Sequence, residues 1–246
     1  MGKITMTVET TALPSGTHVS LWLKYQGTNP IIDWGDGTME IEPGVALPTN
    51  EAMSQWSIGQ QNDRAENMVY GIYIDKDETG AGYPWYEYQH DYCSVNTLHT
   101  IRIDSTEDGE VVGLKRKPGK GAAIRDIVFS KRNHLKLISL LNRNDSITLC
   151  TDNLTELKWL YVHNILNEEL DFCHSNLLRF IYVSHCPNLR RIDLRRCPYV
   201  SDINCPSNPL LTHIDFHRDQ RANIRWTGSP IDESTEMNII LSLRVL

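Results

Sequence analysis

Three aspartates in the second half of the chain are candidates for a cation or polar-ligand site. Asp171, Asp193 and Asp215 are separated by steps of 22 residues. If the chain repeats with that period, their carboxylates stack on one face and can bind such a ligand. A solvated position of the repeat is the alternative, because carboxylates stacked about 4.8 Å apart repel one another unless basic neighbours offset them. The same step of 22 residues connects three basic residues that would lie beside the aspartates: His174, Arg196 and Arg218.

An aromatic cluster in the first half is a second candidate for ligand binding. Seven of the chain's 20 aromatic residues lie between positions 41 and 89. Exposed aromatic rings beside polar groups suit stacking on sugars or on a peptide, and the alternative is a small core formed by the cluster itself. Tyr161 and Tyr182 are further candidates, since tyrosine is enriched where partners dock. The residues of the cluster that we expect to contact a ligand are Tyr83, Trp85, Tyr86 and Tyr88.

The residue types needed for catalysis are present without the spacing of a catalytic set. His163, His174 and His185 are eleven residues apart, which separates His174 from the other two if strand faces alternate. Asp75 begins an acidic stretch similar to a calcium loop, but the twelfth position, which must be glutamate, is Tyr86. We therefore expect no enzyme activity, no catalytic residues, no cofactor and no metal site. A hydrolase with its site between two modules is an alternative.

Composition restricts the classes of partner. The 246 residues include 31 acidic and 24 basic ones, giving a formal net charge of −7, and no long basic stripe is present. We expect no nucleic-acid partner. No apolar run approaches the roughly 20 residues that span a bilayer, so we also expect no membrane insertion. Four of the six cysteines lie on or beside a repeated apolar pattern, which predicts free, buried thiols: Cys173, Cys186, Cys197 and Cys205.

Short strands are the elements that position these side chains. Between residues 127 and 226, pairs of apolar residues that flank one outward residue recur about every eleven positions; Ile192 and Leu194, for example, flank Asp193. That alternation is typical of a strand with one buried face. If a coil of 22 residues carries two such strands on opposite sides, the aspartates share one face and the two tyrosines share the other. The sequence therefore predicts a β-solenoid.

The repeat resembles a leucine-rich repeat. Leu189, Ile192 and Leu194 followed by Cys197 fit the pattern LxxLxL with a later Asn or Cys. The resemblance implies that this Asn or Cys lies inside the coil, where an Asn bonds backbone groups left free as the chain turns. Beyond the repeats, residues 229–243 combine an N-cap with an apolar run, which predicts a short helix that closes the solenoid.

The amino-terminal region has the pattern of strands and one strong hairpin signal. Apolar residues alternate from residue 3 to residue 40, and Asp36-Gly37 favours a tight turn. The string IDWGDGT there, followed later by His90-Asp-Tyr92, is similar to the signature of the polycystic kidney disease (PKD) domain family. That resemblance implies an immunoglobulin-like β-sandwich, interrupted here by an insertion at about 41–89.

Together the two resemblances describe a mainly β chain of two modules. We expect a PKD-like sandwich at 1–112, a linker at 113–124, and a solenoid with a carboxyl-terminal cap at 125–246. The combination resembles the BspA-like surface proteins of gut anaerobes, which implies a non-catalytic recognition or adhesion module that binds a protein or glycan at the cell surface or after secretion. We expect a monomer. A structural subunit of a larger complex is an alternative.

Overall fold

The computed structural model of the chain describes residues 1–13, 16–47, 84–116, 121–141, 145–218 and 222–231. These residues form 18 β-strands, and none of them is helical. The described ranges accordingly contain no helix that could cross a membrane. The prediction of a mainly β protein is confirmed. The helix predicted within 229–243 lies largely outside the described residues.

The first nine strands arise from the alternating apolar pattern of the amino-terminal half. In β1, Ile4, Met6 and Val8 are buried while their neighbours face outward. The predicted hairpin joins β3 to β4, and the amide of Trp34 donates to the carbonyl of Thr38 at 3.1 Å. The strands are β1 (Lys3–Glu9), β2 (His18–Gly27), β3 (Ile31–Asp33), β4 (Met39–Glu40), β5 (Val45–Leu47), β6 (Trp85–Asp91), β7 (Leu98–Asp104), β8 (Gly109–Arg116) and β9 (Ala123–Phe129).

The remaining strands are two to five residues long because each corresponds to one apolar pair of the repeat. They alternate between two sides of the molecule, as a coil with two strands requires. They are β10 (Leu137–Leu140), β11 (Thr148–Leu149), β12 (Trp159–His163), β13 (Glu169–Asp171), β14 (Phe180–Ser184), β15 (Arg191–Leu194), β16 (Asp202–Asn204), β17 (His213–Phe216) and β18 (Asn223–Arg225).

Three sheets result. The nine-stranded sheet has the order β18-β16-β14-β12-β10-β8-β2-β6-β5, and its strands from β8 to β18 are parallel. The six-stranded sheet has the order β11-β9-β1-β7-β3-β4, and the third sheet is β13-β15-β17. In the parallel register Leu160 pairs with Ile181, and Ile181 pairs with Ile203. The chain therefore winds as a β-solenoid of about five coils, as predicted.

Both larger sheets run without a break from the amino-terminal strands into the solenoid. Strand β8 pairs with β2 on one side and with β10 on the other, and β9 likewise lies between β1 and β11. One apolar core lies beneath all of these strands. Residues 113–116, which the sequence analysis places in a linker, belong to β8, and Leu114, Lys115 and Arg116 are buried there.

A buried asparagine fastens the turns of the coil. Asn208 is fully buried and donates from Nδ2 to the carbonyls of Val183 at 2.9 Å and Cys205 at 3.0 Å. Its Oδ1 accepts from the amide of Cys186 at 2.9 Å. These bonds satisfy backbone groups that would otherwise be buried without partners. The role expected for an interior asparagine is thus observed in this coil.

The cysteines are free thiols, and the expectation of burial holds for three of the four named. All six are unpaired, and Cys186, Cys197 and Cys205 are buried whereas Cys173 is partly exposed. Burial raises the pKa of each of the three buried thiols to about 12. These thiols pack as small apolar side chains and are poor nucleophiles at neutral pH.

One corner of the solenoid repeats a left-handed backbone conformation. Asn164, His185 and Ser207 have φ values of 55°, 55° and 57°, and Gly228 follows with 76°. These residues are 21 or 22 positions apart, so they stack in successive coils. Asparagine and glycine tolerate this conformation, whereas histidine and serine adopt it at a cost.

Candidate binding surface

The three-stranded sheet β13-β15-β17, which we call the three-stranded flank, carries the aspartates. Asp171 pairs with Asp193, and Asp193 pairs with Asp215, so the three carboxylates form one acidic row. The predicted stacking is confirmed. Outward residues two positions earlier in each strand form a second row, in which Arg191 lies between Glu169 and His213.

Arginines pair with two of the three carboxylates of the acidic row, Asp193 and Asp215. The Arg191 guanidinium reaches Asp215 at 2.5 Å, Glu169 at 3.0 Å and Asp193 at 3.5 Å. Arg195 Nε contacts the carboxylate of Asp193 at 2.9 Å. Hydrogen bonds with Asp215 raise the pKa of Arg191. The mutual repulsion of stacked carboxylates is offset in this way, and the row is an ion-pair network rather than an open cation groove.

The same carboxylates also organise the turns that follow the strands. Asp171 Oδ1 accepts from the amide of Cys173 at 2.8 Å, and Asp193 Oδ1 accepts from the amide of Arg195 at 3.0 Å. Burial favours a higher pKa for Asp193, but its hydrogen bonds to Arg195 outweigh burial and lower the pKa. Local bonds of this kind are typical of aspartate at a turn. The acidic row therefore has a structural role that its spacing alone did not show.

A basic row lies in those turns. His174, Arg196 and Arg218 occupy equivalent turn positions after β13, β15 and β17, and all three are exposed. Within the described residues, the side chains of His174 and Arg196 form no hydrogen bond or ion pair. The turns are held in register from inside, where Cys197 Sγ contacts the carbonyl of Ser175 at 3.4 Å.

The outer face of the nine-stranded sheet gathers three of the predicted ligand residues. Tyr161 pairs with Tyr182 across β12 and β14, and Trp85 lies on the same face at β6. These side chains are 0%, 1% and 8% exposed. The structure therefore corrects the expectation of an exposed tyrosine row. We call this cluster the aromatic layer, and its members are Trp22, Trp85, Leu137, Trp159, Tyr161, Phe180 and Tyr182.

Two leucines and one lysine pack against this layer. Leu47 and Leu141 pack against it, and Lys115 Nζ lies 4.0 Å from the centre of the Trp85 ring, within cation–π range. Gly113 leaves room for that ring, because a Cβ at this position would lie 2.5 Å from it. Trp22, Trp159 and Phe180 were not among the residues predicted to bind a ligand. The signal that could have indicated them is the alternation of side chains along their strands, which places apolar residues on a second face of the sheet.

The other aromatic candidates do not join the layer. Tyr86 and Tyr88 contact the main core, where Tyr88 is buried and the Tyr86 ring stacks on Tyr25 at 4.6 Å between ring centres. Burial and the neighbouring tyrosines raise the pKa of Tyr25. Tyr83 lies outside the described residues. The expected aromatic ligand site at 83–88 is therefore not assembled by the described part of the chain.

The string IDWGDGT and the triplet His90-Asp-Tyr92 meet in the structure, although about fifty residues separate them. His90 Nε2 lies 2.8 Å from Asp36 Oδ2, and its ring stacks on Trp34. Thr38 donates its amide and its hydroxyl to Asp36 Oδ1 at 3.0 and 2.6 Å. Burial alone would raise the pKa of Asp36, but the bonds from Thr38 and His90 together lower it to about 2. The Tyr92 hydroxyl donates to the carbonyl of Trp34 at 2.8 Å.

A cavity of about 640 Å³ lies where the amino-terminal strands meet the first coils, and three glutamates line it: Glu107, Glu110 and Glu156. Two of them contact one imidazole: Glu156 lies 2.7 Å from His134 Nδ1, and Glu110 lies 3.3 Å from His134 Nε2. Acid–base catalysis needs carboxylates directed at a substrate. Glu110 and Glu156 are directed at His134, which links them across successive coils.

Comparisons of the chain with models of protein families, with curated proteins and with solved structures found no match. Among the described residues, no group of three His, Cys, Asp or Glu side chains is arranged to hold a metal ion.

Proposed function

We propose that the chain is a non-catalytic recognition module that binds an extended protein or glycan along the three-stranded flank. The observation that carries this proposal is the register of charged side chains on β13, β15 and β17. Outward residues at equivalent positions of successive coils lie side by side on these strands. Adjacent strands are about 4.8 Å apart, so the flank offers a repeating surface that suits a repeating or extended ligand.

The ion pairs of the flank support this proposal because they fix the side chains before a ligand arrives. Arg191 alone joins carboxylates on all three strands. Side chains held in place lose less conformational entropy on binding than free ones. Along the chain the flank strands alternate with β14 and β16 of the nine-stranded sheet, and that sheet runs into the amino-terminal strands.

The proposal extends to the architecture of the amino-terminal half. The contacts among Trp34, Asp36, His90 and Tyr92 support a PKD-like β-sandwich in which residues 41–89 are an insertion. Such a sandwich followed by leucine-rich-repeat-like coils favours a BspA-like display protein that acts as a monomer at the cell surface or after secretion.

An array of glycans and extracellular proteins tests the proposed function. We expect wild-type protein to bind at least one ligand. His213→Trp, which places a large ring on the exposed flank, should abolish that binding. Val128→Trp is the matched control, because Val128 is 51% exposed on the six-stranded sheet. The proposal would be contradicted if the wild-type protein bound nothing on the array. It would also be contradicted if both variants bound the wild-type ligands equally well.

A role as an assembly subunit is a second candidate, favoured by one observation. Met39, Ile41 and Val45 are 62%, 62% and 71% exposed, beside the outermost strands β4 and β5 of the two larger sheets. Exposed apolar residues at a sheet edge favour pairing with another chain. Light scattering decides between the two: a stable oligomer at submicromolar concentration supports assembly, and a monomer supports recognition.

A further inference from the structure

We propose that the ligand of the three-stranded flank is a linear anionic polysaccharide, carboxylated or sulfated, bound by the basic row His174, Arg196 and Arg218. This inference rests on the proposed function and specifies its ligand. The basic row lies on the exposed turns that continue the flank. A polymer with an anionic group on successive units can place one such group against each turn.

Two of the three carboxylates of the acidic row are already paired within the flank. Asp193 accepts hydrogen bonds from the backbone amide and from Nε of Arg195, and Asp215 accepts one from Nε of Arg191. These carboxylates are directed at their own arginines and turns. Arg196 has no such partner among the described residues, so its guanidinium is available to an external anion.

The geometry of the row is fixed from within the coil. Ser175 and Cys197 directly follow His174 and Arg196, and both are fully buried. Ser175 Oγ donates to the carbonyl of Leu154 at 2.9 Å, while Cys197 Sγ contacts the carbonyl of Ser175 at 3.4 Å. The turns therefore keep the spacing of the strands. Guanidinium groups bind carboxylate and sulfate oxygens in a bidentate manner, which makes arginine the suitable residue for this ligand.

A nucleic acid fits the surface less well than an anionic polysaccharide. The chain as a whole carries a net charge of −7, and the basic row contains three side chains beside an acidic row. Binding to a phosphate backbone depends on many cationic contacts, and repulsion from the remaining surface opposes it. A short row of two arginines and one histidine suits a polymer of lower charge density.

Fluorescence anisotropy with labelled κ-carrageenan, a linear sulfated galactan, and labelled polygalacturonate tests the inference. We expect wild-type protein to bind at least one of them at 50 mM salt, and Arg196→Ala/Arg218→Ala to weaken that binding at least tenfold, as expected for the loss of two charge-assisted contacts. The control Lys131→Ala/Arg132→Ala removes two exposed cations from the turn after β9 and should change binding less than threefold. The sulfated and carboxylated probes distinguish the two sources of negative charge.

Three outcomes would overturn the inference: no binding to either probe, equal losses in the two double variants, or equal binding to labelled neutral dextran or to DNA. If array ligands are lost with His213→Trp but unaffected by Arg196→Ala/Arg218→Ala, the proposed function stands and the anionic ligand is wrong. If neither variant affects them, both proposals are wrong.

Discussion

Asp36 shows how one carboxylate can join two distant parts of the sequence. It accepts two hydrogen bonds from Thr38 within its own turn and contacts His90, which lies 54 residues away. Its side chain is 22% exposed, so the bonds form in a partly desolvated environment. Such bonds favour the ionised carboxylate, and they explain why its pKa is lowered to about 2 despite burial.

The first prediction concerns the acid stability that Asp36 provides. An unfolded aspartate has a pKa of about 3.9, so the folded value of about 2 stabilises the protein above the unfolded pKa, and this stabilisation is lost as pH falls towards 2. We expect the Asp36 contribution to the free energy of unfolding to fall by about 1–2 kcal/mol between pH 4 and pH 2. Urea titrations at pH 2, 3 and 4 measure it.

Asp36→Asn removes the titrating group and should flatten this part of the pH dependence. Asp108→Asn, at an exposed turn, is the control and should leave the wild-type slope unchanged. An Asp36→Asn protein with the same slope as wild type would show that the folded pKa is not lowered.

At the scale of the strands, periodicity predicted the positions of side chains better than their environments. The step of 22 residues placed Asp171, Asp193 and Asp215 in one row because side chains of a strand alternate strictly between its faces. It could not show that Tyr161 and Tyr182 are buried. Parallel strands are often covered on both faces, and which face is covered depends on neighbours distant in the sequence.

The second prediction uses the left-handed corner of the coils. Ser207 is exposed and has a φ of 57°, a conformation that costs a non-glycine residue about 1–2 kcal/mol. Ser207→Gly removes this cost, although glycine gains entropy in the unfolded chain. We expect a net stabilisation of about 0.5–1 kcal/mol, measured by urea denaturation. Glu168→Gly, at an exposed position outside the left-handed set, should destabilise the protein, and a gain there equal to that of Ser207→Gly would contradict the explanation.

At the scale of the molecule, the structure has no gap where the sequence predicts a boundary between two modules. Strands on either side of that boundary pair with each other. Strand β1 pairs with β9, and β2 pairs with β8, so sequence positions more than 80 residues apart are neighbours. Arg116 strengthens the junction: it donates to the carbonyls of Ser20 and Ala122 and lies 3.6 Å from the buried carboxylate of Asp145. Local patterns predict strands, but they contain no information about which distant strands pair.

The third prediction follows from the shared sheets and the common core. If the amino-terminal strands and the nearest coils unfold as one unit, Leu160→Ala in β12 must destabilise β1 as well. Leu160 is fully buried, so the substitution should cost about 2–5 kcal/mol. In native-state hydrogen exchange, the amides of β1 and β7 should then exchange at least tenfold faster than in wild type, to the same degree as those of β14.

The reciprocal substitution Val8→Ala is the matched control, because Val8 is equally buried in β1. It should accelerate exchange in β12 as well as in β7 if the unit is shared. Leu160→Ala could instead accelerate exchange only in the strands of the solenoid, and Val8→Ala only in the amino-terminal strands. That result would mean that the two halves unfold separately. In that case the flank would not be held rigidly by the amino-terminal strands, and the fixed orientation that supports the proposed binding surface would be lost.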